Sequence, residues 1–201
     1  DLIMMEKTVG DYINDERFHT YYMTVSGHHN YRFGGYNSIV EKNKDYVENL
    51  DMDEAAKAYL ATHIELDLAL EYLIDQLQQA GKLANTVICL TTDHYPYGLT
   101  DSQYKGMLGH SIKYGGLERH ESDLIIWNSQ MPTVTIDKPC CQVDVLPTLL
   151  NLFAEVNANI TTGRNTTFTY VTGLTTEATS NQFITFVDKT PQRIQDSIKT
   201  E

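Results

Sequence analysis

Between residues 52 and 80 apolar positions recur every three or four residues, so that Leu66, Leu70, Leu73 and Leu77 share one helical face. Asp51, followed three residues later by Glu54, resembles a capping signal at the start of this helix, and Gly81 supplies a stop at its end. At 1.5 Å per residue the segment would be about 40 Å long, unless residues 51–65 form a helix of their own. Three other runs lack this period. Residues 19–25 (HTYYMTV) are rich in β-branched and aromatic types and predict a buried strand. Residues 85–92 (NTVICLTT) follow the helix, are almost continuously apolar and precede a polar loop, which predicts a parallel strand covered on both faces. Residues 123–127 (DLIIW) form a third run. Residues 143–153 (VDVLPTLLNLF) predict a second helix, with Asp144 near its start and Pro147 about one turn in. Strand, helix and strand in this order predict an α/β domain, a mostly parallel sheet sandwiched by helices with right-handed crossovers.

Beyond residue 153 Thr and Asn dominate. TTFTYVTG and NQFITFV alternate like edge strands, and QRIQDSIKT suits a short helix. The chain therefore reads as a main α/β part over residues 1–153 and a small β-rich closing segment of the same domain over residues 154–201.

Charge narrows the function classes. Lys plus Arg total 15 against 27 Asp plus Glu, a formal charge of -12, which lacks the basic footprint a nucleic-acid binder needs. It also argues against attachment to anionic lipid by charge alone. A local anion site centred on a bound cation remains compatible with it. No apolar run reaches 18 residues, so no membrane-spanning helix is expected. The opening DLIMMEKTV carries no signal-peptide pattern and reads as mid-protein sequence, the start of a domain taken from something longer. Cys89 reads as a small core residue. Cys140 and Cys141 are adjacent, and no CxxC spacing predicts a zinc ribbon.

Ligands of open α/β sheets bind beyond the carboxyl ends of strands. Two loops fall there: Ser26-Gly27-His28-His29-Asn30 and Thr92-Asp93-His94-Tyr95. In the second, a carboxylate beside an imidazole suits a borderline divalent ion, and adjacent residues can both ligate where a strand kinks into a loop. A turn-capping aspartate beside an exposed histidine would read the same way. In the first, Gly27 lets the backbone approach a ligand, and His28 could hydrogen-bond an anionic oxygen or act as a general acid. A Ser/His hydrolase is disfavoured, because Val25-Ser26-Gly27-His28 lacks the Gly-x-Ser-x-Gly elbow. His110, Arg119 and His120 follow in a Gly-rich stretch and either close over the site from one side or face solvent. Asn159 and Asn165 each begin an Asn-x-Thr triplet, a pattern that Thr-rich sequence also produces by chance.

Taken in order, FHTYYMTVSGHHNY, QQAGKLANTVICLTTDHYPYGL, SDLIIWNSQM and VDVLPTLLNLF resemble the C-terminal half of the sulfatase-like domain of lipoteichoic acid synthases and related phosphoglycerol transferases. These belong to the alkaline phosphatase superfamily. The resemblance spans roughly residues 1–153 and implies that superfamily's α/β fold, here as a partial domain. It implies an extracytoplasmic enzyme anchored in the membrane through helices upstream of the catalytic domain. Such an enzyme moves glycerol phosphate from phosphatidylglycerol to a glycan, glycolipid or glycerol-phosphate polymer through a threonine intermediate. It further implies one divalent metal, Mn²⁺ first and Mg²⁺ or Zn²⁺ as alternatives. Asp93 and His94 fall on the family's late metal pair, and His28 on a histidine that contacts the phosphoglycerol group. His29 falls on a variable position.

The nucleophilic threonine and an early acidic metal ligand belong to the N-terminal half of the family's domain, which nothing in these 201 residues matches. Thr24 is not at the nucleophile's place in the motif order. Two of the four implied metal positions are then missing, so the chain by itself is expected to bind metal weakly or not at all and not to turn over. Two other readings stay open: a non-catalytic surface module of this fold that binds a glycan or lipid headgroup, and a sulfatase or phosphodiesterase relative.

Overall fold

A computed structural model of the chain describes residues 1–28, 31–34, 38–113, 116–137, 140–156, 167–169 and 175–177. The elements are α1 (Leu2–Thr8), α2 (Ser38–Lys42), α3 (Glu54–Gln79), β1 (Ile88–Leu90), α4 (Asp101–Leu108), β2 (Ile125–Trp127), α5 (Val145–Val156), β3 (Thr167–Thr169) and β4 (Thr175–Glu177). They fall into two compact units, Asp1–Met131 and Pro132–Glu201.

The spine of the first unit is α3, one continuous helix of 26 residues. Its cap is Asp53, whose carboxylate accepts the Ala55 N–H at 2.9 Å, and not Asp51. Only a side chain immediately outside the first helical residue reaches the N–H of the second. The far end closes as expected. Gly81 has φ +69°, its N–H donates to the Gln78 carbonyl, and the Lys82 N–H donates to the Leu77 carbonyl at 2.9 Å. Together these bonds make a Schellman stop.

Ala58, Ala61, Glu65, Ala69, Leu73 and Leu77 form the buried stripe of α3, while Leu66 and Leu70 flank it half-buried. Three apolar clusters line this helix. Its C-terminal half packs Ala69, Leu73 and Leu77 against Met5, Val9 and Ile13. Its N-terminal half packs Ala58 and Ala61 against Val40 and Val47. Near its start, Ala55 and Tyr59 meet Leu99, Tyr104 and Ile112. The buried Glu65 carboxylate receives Lys42 Nζ at 3.1 Å, and the buried Asn43 amide donates to the Ala61 carbonyl. None of the described helices is long and apolar enough to cross a membrane.

The strand predicted over residues 19–25 is instead an extended segment without a ladder, with Tyr21, Met23 and Val25 exposed by 78%, 72% and 63%. Strand propensity is realised through side-chain packing on neighbouring strands, and among the described residues none pairs with this segment. The Val25 and Ser26 N–H groups go to the Asp1 carboxylate instead.

The run at 85–92 forms the strand β1, but only over three residues, and it pairs antiparallel with β2 in the register Ile88↔Trp127, Cys89↔Ile126, Leu90↔Ile125. Its residues are half-buried rather than covered on both faces. A parallel pair needs a crossover that returns the chain across the sheet. Here α4 packs by Tyr104 on Ala55 and Tyr59 of α3, and the chain re-enters beside β1 in the opposite direction. No parallel pairing occurs among the described residues. Asn128 then ties the end of β2 back, its amide donating to the Ala84 and Thr86 carbonyls at 3.0 and 2.8 Å.

In the second unit α5 forms where the apolar pattern predicts it. A short turn at Gln142–Asp144 leads in, with the Asp144 carboxylate accepting the Cys141 N–H at 2.9 Å. Asp144, Thr148 and Asn151 are buried. β3 and β4 pair antiparallel within the segment expected to be β-rich. NQFITFV, QRIQDSIKT and both Asn-x-Thr asparagines lie outside the described residues.

Candidate functional site

Two loops meet over the N-terminal half of α3. The first runs from Ser26. Its backbone is clamped by Asp1, whose two carboxylate oxygens accept the Val25 and Ser26 N–H groups at 2.9 and 3.2 Å. The Asp1 nitrogen donates to Ser26 Oγ at 2.9 Å. The His28 N–H then donates to the Val25 carbonyl at 3.0 Å, which turns the chain and presents the exposed His28 imidazole. Beneath it, the His63 ring packs T-shaped on Tyr59 at 4.5 Å, and partial desolvation lowers its pKa.

The second loop leaves β1 and carries Asp93 and His94. The His94 N–H donates to Asp93 Oδ1 at 2.9 Å, which fixes the carboxylate. His94 Nδ1 lies 2.8 Å from the Tyr95 carbonyl. A carbonyl only accepts, so Nδ1 carries a proton, and in the neutral ring Nε2 is then the acceptor nitrogen. That nitrogen faces Asp93 Oδ2 at 3.4 Å. With the ring neutral, these two acceptors need a proton or a cation between them. The separation fits two ligands each about 2.0–2.2 Å from one ion, and a second ring nitrogen tied to a carbonyl is the usual support of a metal-binding histidine. The pair thus has the donor chemistry and spacing for a shared divalent ion. Among the described residues no group of three or more His, Cys, Asp or Glu side chains gathers to hold a metal.

The fold brings His28 to this pair, with its ring centroid 6.4 Å from that of His94. Aromatic rings frame the opening: Tyr97 lies 4.8 Å from His94, and Tyr95 meets His120 at 4.8 Å. The short turn at Leu117–His120 is fastened from below. Arg119 pairs with Asp101 and lies over the Tyr95 and Tyr104 rings, while His110 pairs with Glu118. Burial pushes the Tyr104 phenol up to about 12, with Tyr59 adding to the rise and Arg119 opposing it. The Glu118 hydrogen bond and charge raise the His110 pKa. Of the three residues read from the Gly-rich stretch, His120 approaches the site through Tyr95, and Arg119 and His110 fasten the turn.

Thr24 is exposed and His29 lies outside the described residues. Cys89 is half-buried in β1 and burial raises its pKa. Cys140 and Cys141 are exposed, and all three thiols are free. Asp1 was not among the residues expected at the site. Asp1 had no local signal, because its partners lie 24 and 25 residues away.

The Sulfatase family model matches residues 4–156. Over 155 residues the chain is 28% identical to the lipoteichoic acid synthase of Staphylococcus saprophyticus subsp. saprophyticus, a match that covers 73% of this chain and 22% of that protein. The chain thus spans about a fifth of the length of the curated relative it matches. No solved structure matches. With a family match that takes in the main part of the first unit and α5, and with it both loops of the site, the chain belongs to the sulfatase family, whose fold is the alkaline-phosphatase-like α/β class.

Proposed function

We propose that this chain is part of a metal-dependent phosphoglycerol transferase, one that moves glycerol phosphate from phosphatidylglycerol to a cell-envelope glycan, glycolipid or glycerol-phosphate polymer. The observation that carries this reading is the Asp93–His94 pair, its acceptor atoms 3.4 Å apart with His28 beside it. The similarity to a lipoteichoic acid synthase supports the phosphoryl-transfer branch over a sulfate-ester one.

In this reading Asp93 Oδ2 and His94 Nε2 hold a divalent ion, Mn²⁺ before Mg²⁺ or Zn²⁺. When bound, that ion offsets phosphoryl charge and activates the nucleophile. The Tyr95 carbonyl holds the His94 proton on Nδ1, so Nε2 stays available. His28 donates a hydrogen bond to an anionic oxygen of the phosphoglycerol group. The attacking hydroxyl comes from a threonine of the N-terminal half of the sulfatase domain, the intramolecular partner of this chain. Membrane helices elsewhere in the same polypeptide would hold the enzyme on the extracytoplasmic face, within reach of its lipid.

The test is a Mn²⁺ titration of this chain followed by NMR of the imidazole protons. The His94 and His28 signals should broaden at substoichiometric Mn²⁺, and the Asp93→Ala/His94→Ala variant should leave His28 sharp. Undisturbed His28 and His94 signals in this chain alone would fit a half-site; undisturbed signals at saturating Mn²⁺ in a polypeptide that also carries the N-terminal half of the domain would remove the metal reading. In a polypeptide that also carries the threonine, the same double substitution should abolish diacylglycerol release from phosphatidylglycerol.

A further inference from the structure

His28 and His94 stand on separate loops, and one side chain touches both supports. Tyr31, three residues past His28, donates from Oη to the Gly27 carbonyl at 2.9 Å, which closes the loop that presents His28. Its ring meets Tyr59 of α3 edge-on at 5.0 Å. The ring also lies against Gly98, four residues past His94. A Cβ on Gly98 would come within 2.9 Å of Tyr31 Cε2 and 3.1 Å of Cδ2. Gly98 is not among the glycines with positive φ, so a methyl there would conflict with the Tyr31 ring rather than with the backbone conformation, and the ring would have to shift. The next residue, Leu99, is buried with Tyr104 and Ile112 and hydrogen-bonds back to the Pro96 carbonyl. Tyr31 therefore packs against both the Val40–Ala61 cluster and the Leu99–Tyr104 cluster.

We propose that Tyr31 is a positioning residue that sets His28 against the Asp93–His94 pair, with Gly98 as the seat its ring requires. The proposal rests on the site described above and adds to it the part that fixes the spacing between its two loops. Asp93 and His94 are neighbours in sequence, and their mutual geometry is set by bonds within residues 93–95. It does not depend on Tyr31. The approach of His28 does. Disturbing Tyr31 should then separate two properties that unfolding would remove together.

The experiment compares the intact chain with Gly98→Ala, Tyr31→Phe and, as a control, Gly106→Ala, whose added methyl meets nothing within 4 Å. Two readouts are taken. In the metal-free chain, the NOE between the His28 and His94 ring protons reports their proximity. With Mn²⁺ added, line broadening at each ring reports its distance from the ion. Gly98→Ala should lose the NOE and most of the His28 broadening while His94 broadens as before. Tyr31→Phe keeps the ring and loses the Gly27 bond, so the NOE should weaken without vanishing. Gly106→Ala should change neither. An undiminished NOE in both Gly98→Ala and Tyr31→Phe, with native circular dichroism, would overturn the proposal. Should Gly98→Ala fail to fold, Tyr31→Phe alone decides through the same NOE. If Mn²⁺ broadens no histidine in the intact chain, as a half-site allows, the NOE alone decides the role of Tyr31.

Discussion

Asp1 offers a sharp test of how the His28 loop is held. Its carboxylate does not cap the helix that it precedes. It crosses to the Val25 and Ser26 N–H groups, at 2.9 and 3.2 Å. Asp1→Ala removes both acceptors and leaves the main-chain nitrogen that bonds Ser26 Oγ in place. The two orphaned donors are not equivalent. Ser26 is 4% exposed, so its N–H keeps no access to water, and an unsatisfied buried donor costs about 1–3 kcal/mol. Val25 is 63% exposed, so its N–H rehydrates and only the net bond, about 1 kcal/mol, is lost. The expected destabilisation is about 2–4 kcal/mol. Asp1→Asn keeps one acceptor oxygen and should cost roughly half as much. Urea unfolding at neutral pH reads both, with an unchanged slope expected because the buried surface is the same. A shift below about 0.5 kcal/mol for Asp1→Ala, the size of an ordinary surface substitution, would refute the argument that this carboxylate clamps the loop.

Other expectations follow from the packing and the ion pairs. Leu77→Ala, at a site 1% exposed in the α1–α3 cluster, should cost about 2–5 kcal/mol in the same unfolding assay. Asn128→Ala removes the two bonds to Ala84 and Thr86 and the acceptor for the Gln130 N–H, and should cost about 1–3 kcal/mol while freeing the end of β2 to hydrogen exchange. His110 should titrate above its ordinary value by NMR, and Glu118→Gln should cancel the rise. A raised pKa means that the pairing stabilises below the ordinary histidine pKa and is lost as pH climbs through the raised one. The lowered His63 pKa has the opposite sign, so its contribution is present above the ordinary value and fades as pH falls through the lowered one. His63 keeps one edge in water, so a modest fall in melting temperature below pH 6.5, removed in His63→Gln, is the expected result.

Where a feature depends on neighbours within a turn or two, the sequence carries it openly. The α3 periodicity, the Gly81 stop and the α5 apolar run are local, and each element formed. The α4 helix was equally legible, since Thr100 and Gln103 make a reciprocal capping box, although no helix was expected over residues 101–108. The Asp93–His94 pair is legible for the same reason, because adjacent residues need no tertiary fold to meet. Residues 19–25 show the limit. Their composition is that of a strand, yet a strand exists only with a partner to pair with, and the described residues supply none.

By itself, then, the sequence determined the helical spine, the acidic charge balance, and the pairing of a carboxylate with an imidazole after β1. Tertiary structure alone decided that β1 and β2 run antiparallel and that Asp1 grips the chain two residues ahead of Gly27. It also decided that the His28 and His94 ring centroids stand 6.4 Å apart and that the Tyr31 ring lies against Gly98. The physical reason is range. Helical periodicity and the adjacency of Asp93 and His94 are written within a few residues, whereas strand direction and loop spacing are set by packing between segments tens of residues apart.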